Sequence, residues 1–95
     1  MPHRKPAIFA QAYTNIRSRP HLIDNTFHKK REEFESRRGK TNFSAQGMYR
    51  FFRLTPTQAL TFEAWRLKQR YPGKTLANCL DQAYENLREW RIIQW

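Results

Sequence analysis

A chain of 95 residues with 18 Lys and Arg against eight Asp and Glu, a formal charge of +10, is one small domain drawn to polyanions. Its 39% apolar and 15% aromatic content supplies a core and excludes wholesale disorder. Its single cysteine, Cys79, excludes an intramolecular disulfide and a cysteine zinc cluster.

Residues 1–6 carry two prolines with Arg4 and Lys5 and read as an extended basic arm. From Pro6, favoured at a first helical position, Ile8, Phe9, Ala12, Tyr13 and Ile16 fall at helical spacing. Ser18, Arg19 and Pro20 are expected to stop this short helix, which must dock to persist. Asp24, Asn25 and Thr26 supply caps for a second helix ending at Arg38, with Gly39 as its stop. Its apolar seam is thin, Phe27 and Phe34 only. Lys29 and Lys30 can pair with Glu33, and Arg31 with Glu35. Two readings stand for Lys29, Lys30, Arg31, Arg37, Arg38 and Lys40: a solvated face, or contacts to phosphates. Thr41 to Gly47 reads as a linker. Residues 1–47 hold ten Lys and Arg against four acids, and residues 48–95 hold eight against four, so both halves are basic.

Met48 to Leu54 is expected to be one short strand. Alternation puts Arg50, Phe52 and Leu54 on one face and Tyr49, Phe51 and Arg53 on the other. An isolated strand has unpaired edges, so it implies a mate, most simply in a second copy of the chain. Thr55 followed by Pro56 is an N-cap and first helical position. A helix follows to Arg70, broken by Tyr71, Pro72 and Gly73. Thr75 caps a last helix from Leu76 to at least Trp90, with a stripe of Leu76, Cys79, Leu80, Ala83, Leu87 and Trp90. Cys79 reads as a small core residue.

The helix from Pro56 has two apolar stripes. Ala59, Phe62, Trp65 and Arg66 form one; Leu60, Ala64, Leu67 and Tyr71 form the other. The second is covered either by Ile8, Phe9, Phe27 and Phe34, which is the favoured reading, or by a protein partner on Leu60, Leu67 and Tyr71. The apolar tail Ile92, Ile93 and Trp95 either closes a dimer or hooks a partner.

The segments RFFRLTP, PGKT and LANCLDQAYENL, within Met48 to about Trp90, resemble the ribbon-helix-helix family of DNA-binding proteins. The resemblance implies a mostly α fold with one short strand: an intertwined homodimer over residues 48–95, with a basic, partly helical N-terminal extension over 1–47. Leu54 and Phe52, with Arg50 on their face, would point into the dimer core. Tyr49, Phe51 and Arg53 would enter the major groove, and Lys74, Thr75 and the amides of Leu76 and Ala77 would hold phosphate. The chain departs from the family in its aromatic outward face, its longer turn and the 47 residues before the strand.

These features give the expectation of a homodimeric DNA-binding regulator such as a repressor, cytoplasmic and without cofactor. Two alternatives stand beside it: a basic subunit of a ribonucleoprotein or other assembly that binds RNA, and an antitoxin or inhibitor acting on a protein. Catalysis is not expected, because His28 and Glu32 find no further ligands and no nucleophile motif or phosphate-cradling loop is present. No apolar run approaches the roughly 20 residues of a membrane span, and Met1 to Arg19 lacks the apolar core of a leader.

Overall fold

The computed structural model describes residues 6–94. Among them the chain forms five α-helices: α1 (Ala7–Ser18), α2 (Pro20–Arg38), α3 (Ala45–Phe51), α4 (Pro56–Arg70) and α5 (Leu76–Glu89), with a 3-10 turn over Lys40–Asn42. No strand occurs among the described residues. The expected ribbon-helix-helix fold is therefore corrected, and the unpaired strand no longer argues for a homodimer. No described helix is long and apolar enough to cross a membrane.

The correction has a local cause. Ala45, Met48 and Tyr49 are all buried, at the i, i+3, i+4 spacing of a helix face. A strand would send the neighbours Met48 and Tyr49 to opposite sides. Ser44 caps this helix by accepting a hydrogen bond from the Gly47 amide at 3.0 Å. At Gly47 a Cβ would lie 2.9 Å from the cap's Oγ and 3.4 Å from the Phe34 ring, so glycine lets cap and ring close on the helix.

The helix ends at Phe52 in a left-handed cap. The Leu54 amide donates to the Tyr49 carbonyl at 3.2 Å and the Arg53 amide to the Arg50 carbonyl at 3.1 Å, the double bond of a Schellman motif. Its left-handed residue is Arg53, at φ 50°, where glycine is usual. The end of α5 repeats the device. The Ile92 amide donates to the Leu87 carbonyl at 2.9 Å, the Arg91 amide to the Arg88 carbonyl at 3.0 Å, and Arg91 sits at φ 61°. The two ends are clipped together, because Arg50 Nη2 donates to the Trp90 carbonyl.

Other boundaries follow from capping. Pro20 does not only stop α1; it opens α2 at its first turn, after the single residue Arg19. Asp24, Asn25 and Thr26, expected as caps, lie inside α2. Thr55 and Gln58 form a reciprocal capping box on α4, and Thr75 accepts from the Asn78 amide at 3.1 Å on α5. Lys68 Nζ shapes the turn between these helices by donating to the Pro72 and Lys74 carbonyls at 2.9 and 2.5 Å.

α4 is the central helix. It packs on α1, α2 and α5, and Ala59, Leu60, Ala64 and Leu67 are fully or nearly buried. Both of its apolar stripes are covered within the chain except at Tyr71, which is exposed. Phe27 of α2 lies over Trp65 (ring centroids 5.0 Å) and Phe62 (6.1 Å). Phe9 of α1 meets Tyr84 of α5 at 5.0 Å, and Thr57 donates to Gln11 at 3.1 Å. The two halves of the sequence thus share one core.

That core holds one charged side chain. Glu63 is 0% exposed. It accepts from Tyr49 Oη (2.9 Å), from Arg66 Nε and Nη2 (2.8 and 2.6 Å) and from Asn86 Nδ2 (2.9 Å). Four donors from α3, α4 and α5 converge on one carboxylate, which offsets its desolvation.

Two predictions follow from this packing. Arg53→Gly removes the left-handed strain of a side-chain-bearing residue and is expected to raise stability by about 0.5–1 kcal/mol, read from urea midpoints. Equal or lower stability would show that the Arg53 side chain itself supports the cap. Arg66→Met leaves the Glu63 carboxylate buried without a cation and is expected to cost about 3 kcal/mol. Adding Glu63→Gln should recover about half of that loss, since a neutral amide has less desolvation to offset. No recovery would mean that Arg66 contributes by packing instead of by charge.

Candidate nucleic-acid interface

Most acidic side chains lie beside a cation one turn away. On α2, Arg31 Nε meets Glu35 at 3.0 Å and Arg37 Nε meets Glu33 at 3.7 Å, while His28 lies 3.4 Å from Asp24. On α5, Arg88 lies 3.5 Å from Glu85. These spacings are ordinary helix-surface pairs. Lys29, Lys30, Arg38, Lys40, Arg50 and Arg53 form no ion pair among the described residues. Six cations without an ion pair thus lie along α2 and around the end of α3, while Arg17, Arg19, Lys68, Arg70, Lys74 and Arg91 are equally without one elsewhere on the described residues.

Aromatic rings interleave with these cations. Arg31 stands 4.0 Å from the ring centre of Phe43, Lys30 4.6 Å from Phe52, and Arg38 5.4 Å from Phe51. The rings brace one another edge to face: Phe34 on Phe51 at 5.5 Å, Phe34 on Phe43 at 6.1 Å, and Phe51 on Phe52 at 4.9 Å. A groove of about 460 Å³ opens between α2 and α3, lined by Phe34, Arg38, Asn42, Gly47, Arg50 and Phe51. A second groove, of about 450 Å³, lies between α4 and α5 and is lined by Arg66, Arg70, Tyr71, Lys74, Gln82 and Asn86, among others.

The sequence-predicted residues separate on this surface. Tyr49 is 1% exposed and donates to Glu63, so its expected place against a base falls with the strand. Phe51 is half-buried in the groove, and Arg53 is exposed at its left-handed cap. Arg50, expected on an inward strand face, is exposed and joins the groove. Lys30, Arg31 and Arg38 stand over the aromatic rings; Lys29, Arg37 and Lys40 are exposed nearby in the sequence. Arg4 and Lys5 lie outside the described residues.

Lys74 lines the second groove, 5.2 Å from the Tyr71 ring centre. Thr75 is engaged as the cap of α5, followed by half-buried Leu76 and exposed Ala77. Of the expected partner-docking residues, Leu60 and Leu67 are buried inside the chain and Tyr71 is exposed. Ile93 is buried and Ile92 half-buried, folded back by the cap of α5; Trp95 lies outside the described residues. Sequence reasoning missed Phe34, Asn42 and Gly47 as groove residues. Their signal was the helical spacing of Ala45, Met48 and Tyr49, which places Gly47 and Arg50 on the opposite side of α3.

The polar cluster on Glu63 is a structural anchor. No buried side-chain nitrogen or oxygen among the described residues lacks a partner. Burial first, and the Glu63 charge second, push the Tyr49 hydroxyl well above its ordinary value. The hydrogen bonds that Arg66 donates to Glu63 raise the Arg66 guanidinium above its ordinary value, and burial raises the Cys79 thiol. Among the described residues no group of three or more His, Cys, Asp or Glu is placed to hold a metal ion. Compared with protein families, with curated proteins and with solved structures, the chain matches none.

The Tyr49 shift sets an alkaline limit. The unfolded chain releases this proton near pH ~10, while the folded chain holds it to higher pH. Its stabilisation is complete below that point and is lost as pH rises through the folded-state value. Tyr49→Phe is expected to lower neutral stability by about 1–2 kcal/mol and to flatten the decline above pH ~10. Urea midpoints across an alkaline pH series test this; parallel declines in both proteins would remove Tyr49 as the cause.

Proposed function

We propose that the chain is a small helical nucleic-acid-binding protein whose contact surface is the α2–α3 corner. The observation that carries this reading is the interleaving of Lys30, Arg31 and Arg38 with Phe52, Phe43 and Phe51. Cations neutralise phosphates and release counterions, and aromatic faces give bases a surface to stack on. The neighbouring Arg50, Arg53 and Lys40 extend the basic field, and of the three glutamates in this stretch Glu33 and Glu35 are engaged by arginines, which leaves Glu32 as its one acid without an ion pair among the described residues. The Schellman arginines support the same reading. Glycine would hold both turns with less strain, so arginine at these exposed positions puts charge where the fold does not require a side chain.

The test compares two variants of equal charge. Lys30→Gln/Arg38→Gln/Arg53→Gln removes three cations from the corner, and Arg17→Gln/Arg19→Gln/Arg88→Gln removes three from elsewhere. Titration against mixed-sequence oligonucleotides over a salt series should show the first losing affinity, with a log–log salt slope shallower by about 2. The second should stay near the parent. Equal losses would reduce the binding to net charge alone and overturn the interface, and no binding at low salt would overturn the function.

A further inference from the structure

The groove between α2 and α3 has a chemistry that a bare phosphate site would not need. Phe34 and Phe51 are its aromatic members, packed edge to face at 5.5 Å. Arg38 and Arg50 are its charged members, and no acidic side chain lines it. Gly47 contributes no side chain, which lets the Phe34 ring approach α3 closely. Asn42 donates its Nδ2 to the Arg38 carbonyl at 2.6 Å, and its side chain forms no other hydrogen bond among the described residues, so its Oδ1 remains as an acceptor. Arg50 is tethered through one nitrogen to the Trp90 carbonyl, and a guanidinium retains further donors.

Resting on the nucleic-acid reading above, we propose that this groove receives one unpaired nucleobase of a single strand, RNA or DNA, with its flanking phosphates on Arg38 and Arg50. The flat surfaces are the Phe51 ring and the Arg38 guanidinium, which stand 5.4 Å apart from ring centre to guanidinium carbon. An entering base stacks on either of them, and every base has a face to offer. The volume of about 460 Å³ also leaves room for the sugar. Asn42 Oδ1 accepts a hydrogen bond from an exocyclic amino group, which adds a preference for bases that carry one. A duplex keeps its bases in the stack and enters such a groove only by flipping one out, which costs it the stacking and pairing of that base. The groove therefore selects single strands over duplex, a choice that the surrounding charge alone does not make.

The experiment measures anisotropy of labelled oligonucleotides on the whole chain at one ionic strength. The probes are a single-stranded RNA, the matching single-stranded DNA, their blunt duplexes, and an abasic single strand with the same phosphate number. Both single strands are expected to bind about tenfold more tightly than the abasic strand, the size of one stacked base, and more tightly than the duplexes. Phe51→Leu should erase most of that margin while leaving abasic binding unchanged, with circular dichroism confirming the helices. If this variant does not fold, the abasic comparison on the parent chain still decides. A preference for RNA over DNA, or the reverse, identifies the source of the base and keeps the proposal. Equal affinity for abasic, single-stranded and duplex probes overturns the base site and leaves nucleic-acid binding standing. No binding to any probe overturns the function on which it rests.

Discussion

The Glu63 carboxylate sets the terms for the rest of the molecule. A charge at 0% exposure is tolerable only when its oxygens are saturated, and four donors from three helices do this. That requirement fixes where Tyr49 of α3 and Asn86 of α5 stand relative to α4. Fixing Tyr49 fixes α3, which puts Phe51 against Phe34 and Arg50 against Trp90. The groove at the surface thus inherits its geometry from a polar contact in the interior. The N-terminal helices then close the core: α1 and α2 cover the parts of α4 that α5 leaves bare.

Much of the fold was legible from local chemistry. Thr55 with Pro56, and Thr75, announce the starts of α4 and α5 because a capping side chain acts on amides within its own turn. The stripe on α5 and the need for the first half to cover α4 were also legible, since a helix with two apolar faces requires cover on both. The segment from Ser44 to Leu54 was not. Its cap is a serine followed by a glycine at the third helical position, which is a weak start signal. Its stop is an arginine in a left-handed turn, where a reader looks for glycine. With both ends hidden, a run of aromatic residues looked like a strand. Its pairing of Tyr49 with Glu63 lies 14 residues away in sequence, beyond what periodicity reports.

The site was legible in part for the same reason. Cations along α2 are visible in any reading of the charge, and most of them sit where that reading put them. Which aromatic residues they face depends on the turn between α2 and α3. That turn uses Gly39 at φ 90° and the short 3-10 segment to swing α3 back across the end of α2. Without this reversal Phe43, Phe51 and Phe52 would not meet Arg31, Arg38 and Lys30. Helix caps and a chain reversal thus convert two unremarkable stretches of sequence into one basic, aromatic surface.

The placement of the indole side chains gives the fold an optical consequence. Trp65 is buried on α4 beneath Phe27 and beside His28, at 5.0 and 5.9 Å. Trp90 is half-buried at the end of α5, 6.5 Å from Tyr49 and held through its carbonyl by Arg50. These two of the chain's three indoles therefore belong to different seams of the molecule. Separation of α2 from α4 changes the emission of Trp65, and release of the clip between α3 and α5 changes that of Trp90. Among the described residues the chain thus carries two fluorescent reporters, one for each partial opening.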